Sequence, residues 1–209
     1  MNIPIRSIVH IALFAALFIV MSMIKVPLPF TPVPVTLQNL AIMLAGAFLG
    51  AGGGFLSIGL VVALTALGLP LLHGQGGLAY VLGPTGGFLL AFPFCAAAAG
   101  WLTGKLFATR LHRKNRPLFM LALFFIFLVS GSLLSYLAGV PWLARVADLT
   151  FAGAIAAGFA PFIGGDIVKS VIAAGAVTAL APHVIALRGG KRTARTADSG
   201  PGAGVPRAN

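Results

Sequence analysis

The chain has 209 residues, of which 59% are hydrophobic and only 8% charged, with a formal net charge of +11. A soluble domain carries ~25% charged residues, so the composition excludes one and points to a membrane protein. The positive charge does not indicate a nucleic-acid partner, because it gathers in short segments between apolar runs, as in cytoplasmic loops of membrane proteins.

A helix needs ~20 apolar residues to cross a bilayer. Six spans are predicted, at about 5–24, 37–51, 54–69, 86–108, 118–138 and 165–187. The first has no small-residue cleavage site before the proline-rich stretch that follows, so it is expected to be retained rather than removed as a signal peptide. Its Ala12, Ala15 and Ala16 give a smooth face for close helix packing, which on the residues alone suits packing within the bundle. Lys25 to Thr36, with prolines at 27, 29, 32 and 34, excludes helix and favours a stiff, extended path. The second and third spans are short and joined at Ala51-Gly52-Gly53-Gly54, read as a tight helical hairpin turn.

Pro70 to Gly87 is rich in glycine, which suits a folded cap over a cavity. Gly83-Pro-Thr-Gly-Gly87 reads as a turn into the fourth span, where Pro93 is expected to cause a kink. No G-x-x-x-x-G-K-S/T sequence is present, so ATP hydrolysis is not encoded in this chain. The loop 104–117 is basic, which suits topology and contact with anionic lipid. In the fifth span Ser130, Ser132, Ser135 and Tyr136 are too few for a pore and are explained by hydroxyls bonding back to their own helix. Gly139 to Gly165 reads as an outer loop with a short surface helix in its alanine-rich piece at 151–160. Gly164-Gly165 reads as the start of the last span. Residues 1–187 form one membrane domain, and 188–209, almost free of large apolar residues, is predicted to be a disordered basic tail.

Arg6, the basic loop and the tail take nearly all the Lys and Arg, leaving Lys25, Arg145 and Lys169 for the other side. With four spans before the loop and two after it, the basic regions share the cytoplasmic side. The predicted fold is an all-α, compact bundle of six transmembrane helices, N-in and C-in, with its pocket on the outer side.

The chain has 3 acidic residues, Asp148, Asp166 and Asp198, and no glutamate. Asp166 and Lys169 lie within the last apolar run, where ionisable residues are costly and by default mark function. Their i, i+3 spacing puts them on one helix face. A structural ion pair is the alternative. Protease chemistry with two carboxylates is excluded, because no second acid lies within a span. His10, His73, His112 and His183 lack metal-ligand spacing, and the lone Cys95 excludes an intrachain disulfide. No cofactor is expected, and no base–nucleophile set suggests an enzyme.

In order and spacing, Pro32-Val-Pro-Val-Thr-Leu-Gln-Asn39, Gly68-Leu-Pro70, Gly83-Pro-Thr-Gly-Gly87 and Pro161-Phe-Ile-Gly-Gly-Asp-Ile-Val-Lys169 resemble BioY. This is the biotin-uptake branch of the substrate-binding (S) components of energy-coupling factor transporters. The likeness runs from about residue 8 to 187. It implies a multi-pass protein of the bacterial cell membrane that binds biotin outside. Its implied partners are a transmembrane coupling subunit and two cytoplasmic ATPases, with membrane lipid around it. It also implies that Asp166 and Lys169 line the vitamin site with Thr36, Gln38, Gln75 and Tyr80, and that Ala12 and Ala16 dock the coupling subunit. Relatives often carry proline where this chain has Gly165. A stand-alone secondary carrier for biotin or a similar small acid is the second reading, although such carriers usually show paired repeats and none is evident here.

Overall fold

The computed structural model describes residues 5–188. Among them, five helical stretches are long and apolar enough to cross a membrane: Ile5–Met23, Gln38–Ala66, Gly86–Ala108, Arg116–Val146 and Phe151–Ala179. Many large apolar side chains face outward, Phe94 and Leu137 among them, as suits a protein solvated by lipid tails. The chain is a multi-pass membrane protein.

Helix α1 (Ile5–Met23) turns Phe14, Ala15 and Phe18 inward and is tied to the next helix by Ser57 Oγ donating to Ile11 O at 3.0 Å. The proline-rich stretch is extended, as predicted, and its two arms pair as an antiparallel hairpin of β1 (Lys25–Leu28) and β2 (Thr31–Thr36). Proline is tolerated because a two-stranded ribbon has two outer edges that need no N–H.

Two of the six expected spans are halves of one interrupted helix, α2 (Gln38–Ala66). The break comes at Gly50 (φ 76°, ψ 179°), just before the expected turn and in a region that L side chains adopt only with strain. Gly46 and Gly54 would stand ~12 Å apart along an unbroken helix. Instead, a Cβ built on Gly54 would lie 3.0 Å from Gly46 Cα, so the two halves fold back on each other. Helix α3 (Leu78–Val81) is a single turn in the glycine-rich segment, which Gly77 N anchors by donating to Thr65 O at 2.7 Å.

Helix α4 (Gly86–Ala108) carries Pro93 inside it, buried, and packs along the α2 hairpin. After the short α5 (Leu111–Lys114), α6 (Arg116–Phe127) continues through a π-helical turn at Leu128–Leu133 into α7 (Leu134–Val146). The fifth span therefore runs beyond 138, and Gly139 to Val146, expected in a loop, is helix. At its start Asn115 Oδ1 accepts from Leu118 N at 3.0 Å, an N-cap followed directly by Arg116-Pro117.

The last span also begins earlier than expected. Helix α8 (Phe151–Gly158) is capped by Thr150 and separated only by Phe159 (φ −127°, ψ −58°) from α9 (Ala160–Ala179). Gly164-Gly165 lies inside α9, whose first turn holds Pro161, the residue best suited to starting a helix. Asp166 is thus in the second turn. Past Leu180 a further helical stretch covers 181–188, so Arg188, assigned to the tail, belongs to the fold. Residues 189–209 of that tail lie outside the described residues.

Two apolar cores divide the bundle lengthwise. One centres on Phe18, Ile58, Leu72 and Leu89 near the β-hairpin and the glycine-rich segment. The other centres on Phe119, Leu123, Phe127 and Val177 toward the basic end.

Candidate functional site

The site is built where β2, the start of α2, the start of α4, α7 and α9 converge. Asp166 is 1% exposed and Lys169 7%, and one turn of α9 brings Lys169 Nζ to 2.8 Å from Asp166 Oδ1. The other carboxylate oxygen accepts from Tyr136 Oη at 2.5 Å and from Asn39 Nδ2 at 3.1 Å. The buried charge is thus met by a cation and two neutral donors, and such pairing is what makes a buried carboxylate tolerable. One of the three ammonium N–H groups of Lys169 is used on Asp166, which leaves donor capacity on a residue that lines the cavity.

The π-helical turn sets part of this geometry. It adds a residue to one turn, a distortion often found at functional sites, and the α7 face that follows presents Ser135 and Tyr136 to the cavity. Ser132 Oγ lies 3.4 Å from Asn39 Nδ2. At the same level α4 and α7 approach closely. A Cβ on Gly87 would lie 2.4 Å from Trp142 Cβ, and Trp142 Nε1 donates to Gly83 O at 2.9 Å. This contact brings Phe88 edge-on to Tyr136, with ring centroids 6.0 Å apart.

The cavity is narrow, with a volume of about 50 Å3 against the ~300–1,000 Å3 of small-molecule sites, so a vitamin-sized ligand enters only if the surrounding side chains move aside. Phe88, Leu89, Phe92 and Phe162 supply apolar wall, and Thr36, Gln38, Asn39, His73, Asp166 and Lys169 supply polar atoms. Thr36 Oγ1 donates to Gln38 Oε1 at 3.0 Å, which fixes the amide. Gln38 is 4% exposed, yet its Nε2 has no hydrogen-bond partner. A buried donor left unpaired is costly, and in a cavity wall it marks a place for a ligand acceptor.

Gln75 and Tyr80 do not line this cavity. They line an outer hollow between the β-hairpin and the glycine-rich segment, which shares Pro34, His73 and Thr85 with the cavity. Gln75 is exposed. Tyr80 reaches the boundary through a 2.7 Å hydrogen bond between its Oη and His73 Nδ1. Burial pushes the Tyr80 phenol up to about 12. Burial, and then the nearby Lys25 ammonium, lower the His73 pKa. Both side chains are therefore neutral near pH 7. His73 Nε2 has no partner, a second unpaired polar atom at the cavity.

The sequence reading missed Asn39, His73 and Tyr136. Asn39 closes the motif at 32–39, the signal that could have found it. Tyr136 stands in sequence among serines expected to bond back to their own helix. Ser130 and Ser135 do this, to Ile126 O and Ser132 O, but Tyr136 reaches across to α9. Ala12 and Ala16 lie on an exposed face of α1, beside Val9, Leu13 and Val20, and take no part in the cavity.

Known proteins are similar to this chain in sequence and in fold. The chain is 38% identical to the biotin transporter BioY of Rhizobium etli over 171 residues, covering 81% of this chain and 89% of the relative. It is 40% identical to the probable biotin transporter BioY of Bacillus subtilis over 172 residues, covering 80% and 86%. The crystal structure of the S-component for biotin from an ECF-type ABC transporter superposes with a TM-score of 0.75 at 28% identity, over 85% of this chain and 92% of that one. The BioY family pattern matches residues 1–186, every element that builds the cavity lies within that range, and the chain therefore belongs to the BioY family.

Proposed function

We propose that this protein captures biotin as the S-component of an ECF-type importer, using the cavity around Asp166 and Lys169. The observation that carries this reading is a buried carboxylate–ammonium pair opening on an apolar cavity, with the unpaired Gln38 amide in the same wall. Biotin offers ureido N–H donors, a carbonyl, an apolar bicycle and a carboxylate. Asp166 suits the donors, Lys169 and Gln38 suit the oxygens, and the phenylalanines suit the bicycle. Charge-assisted hydrogen bonds contribute ~1.5–3 kcal/mol each, so a few of them with apolar burial reach the ~12 kcal/mol of nanomolar binding.

The topology that fits this function has six crossings. The halves of α2 each cross, both termini and the 104–117 loop face the cytoplasm, and the cavity faces outside. The hairpin at Gly50 and the clustering of basic residues at the end opposite the cavity support it. Gln75 and Tyr80 then border the outer approach, and Ala12 and Ala16 present a smooth face to a transmembrane coupling subunit, behind which two cytoplasmic ATPases supply the energy.

Native mass spectrometry of detergent-purified protein tests the reading directly. The expected result is one bound biotin per chain, with affinity weakened more than tenfold in Asp166→Asn and in Lys169→Ala. Unchanged affinity in both folded variants overturns the site. Uptake against a gradient by vesicles holding only this chain would favour a stand-alone carrier instead.

A further inference from the structure

At the end of the bundle opposite the biotin cavity, α5, the start of α6 and the end of α9 border an open hollow of about 560 Å3. Arg113, Arg116 and His112 line it from one side and Thr178 from the other. His112 is held edge-on between Phe107 and Phe119, with centroids 5.4 and 5.7 Å away, and both its ring nitrogens are buried without a partner. Thr178 is 9% exposed, and its Oγ1 is likewise unpaired. A helical threonine normally bonds its hydroxyl back to its own backbone, so an unpaired one in the wall of a cationic hollow indicates a missing acceptor. The positive end of the α6 dipole lies here too.

We propose that this hollow binds the phosphate headgroup of an anionic phospholipid. Arg113 and Arg116 neutralise the phosphate, in the geometry that guanidinium offers to its oxygens. Thr178 Oγ1 donates to it from the far wall. A lipid, rather than free phosphate, is indicated by what adjoins the hollow. Arg116 is the first residue of α6 and Ala179 the last of α9, which puts the site at the level of the helix ends, where headgroups lie. Beyond it, Leu118, Leu121 and Phe125 form an outward apolar row on the opposite face of α6, at the i, i+3, i+7 spacing of one helix face, so the helix that supplies Arg116 is itself bordered by lipid. The site lies away from Asp166 and stands apart from the biotin assignment.

The experiment is native mass spectrometry of the full chain with phosphatidylglycerol, phosphatidylcholine or inorganic phosphate added at equal concentration. The expected result is one retained phosphatidylglycerol. Its retention falls at least about tenfold in Arg113→Ala/Arg116→Ala and about threefold or more in Thr178→Val. It is little changed in Lys105→Ala/Lys114→Ala, a control of equal charge loss outside the hollow. Thr178→Val preserves shape, and an unaltered melting temperature without lipid shows that its effect is not unfolding. Equal loss in the lysine control, no loss in the arginine variant, or phosphatidylcholine or inorganic phosphate bound as well as phosphatidylglycerol would overturn the proposal.

Discussion

Asp166 is held by Lys169, Tyr136 and Asn39 together, which come from three different helices. Lys169 follows from spacing along one helix, and its pairing with Asp166 was legible because opposite ions in one apolar run are costly unless they meet. Tyr136 and Asn39 arrive from α7 and α2, and their bonds depend on packing across the bundle. A hydroxyl in a transmembrane helix can bond its own backbone or a neighbouring helix, and sequence does not choose between these. Removing only the Tyr136 hydroxyl should therefore matter more than the serines beside it suggest. Tyr136→Phe is expected to lower stability by ~1.5–3 kcal/mol, the contribution of a hydrogen bond to a charged group. The measurement is thermal unfolding in detergent without biotin, and a melting temperature unmoved by the change would show that the phenol does not support Asp166.

Among the elements, the α2 hairpin was readable from its run of small residues, but its closure was not. A helix broken at Gly50 leaves the last carbonyls of its first half without intrahelical partners. Arg188 donates to two of them, from Nε to Ala47 O at 2.8 Å and from Nη2 to Gly46 O at 3.0 Å, and its Nη2 also donates to Gly100 O of α4 at 3.0 Å. Burial lowers this guanidinium to about 10, still well above neutral pH, so it remains charged. An arginine beyond the last apolar run reads as tail because the carbonyls it meets lie more than eighty residues away in sequence. Gly164-Gly165 misleads for the converse reason, since glycine is common inside membrane helices and marks no boundary there. Arg188→Met, which keeps the apolar stem, is expected to cost ~1–3 kcal/mol of stability while biotin affinity stays within about twofold. Gly100→Ala attacks the same junction from the other side. Its Cβ would lie 2.5 Å from Gly50 C, and a melting temperature below that of Arg188→Met is expected on a common thermal scan.

For the whole molecule, the two ends have separate tasks under the proposed function. The cavity end needs few exposed charges, whereas the basic end carries the arginines and lysines that orient the chain. Exposed small residues on α1 offer a third surface between them. Bulk placed there should separate capture from transport. Ala12→Trp/Ala16→Trp is expected to bind biotin as the parent does, yet to lose copurification with the coupling subunit and at least tenfold of cellular uptake. Unimpaired uptake would remove this face from the docking surface. The long helix from Arg116 to Val146 links the two ends, and its π-helical turn fixes their rotational phase. Each residue advances a helix by about 100°. The π turn takes up one residue more than an α-helical turn, so deleting one of residues 128–133 would let the bulge relax into ordinary α-helix with Tyr136 still facing Asp166 and the Asn115 cap where it is. A codon lost from the regular turns on either side has no bulge to absorb it and would turn the phenol by that angle, so the π turn marks the one stretch of this helix where length can change without moving the site.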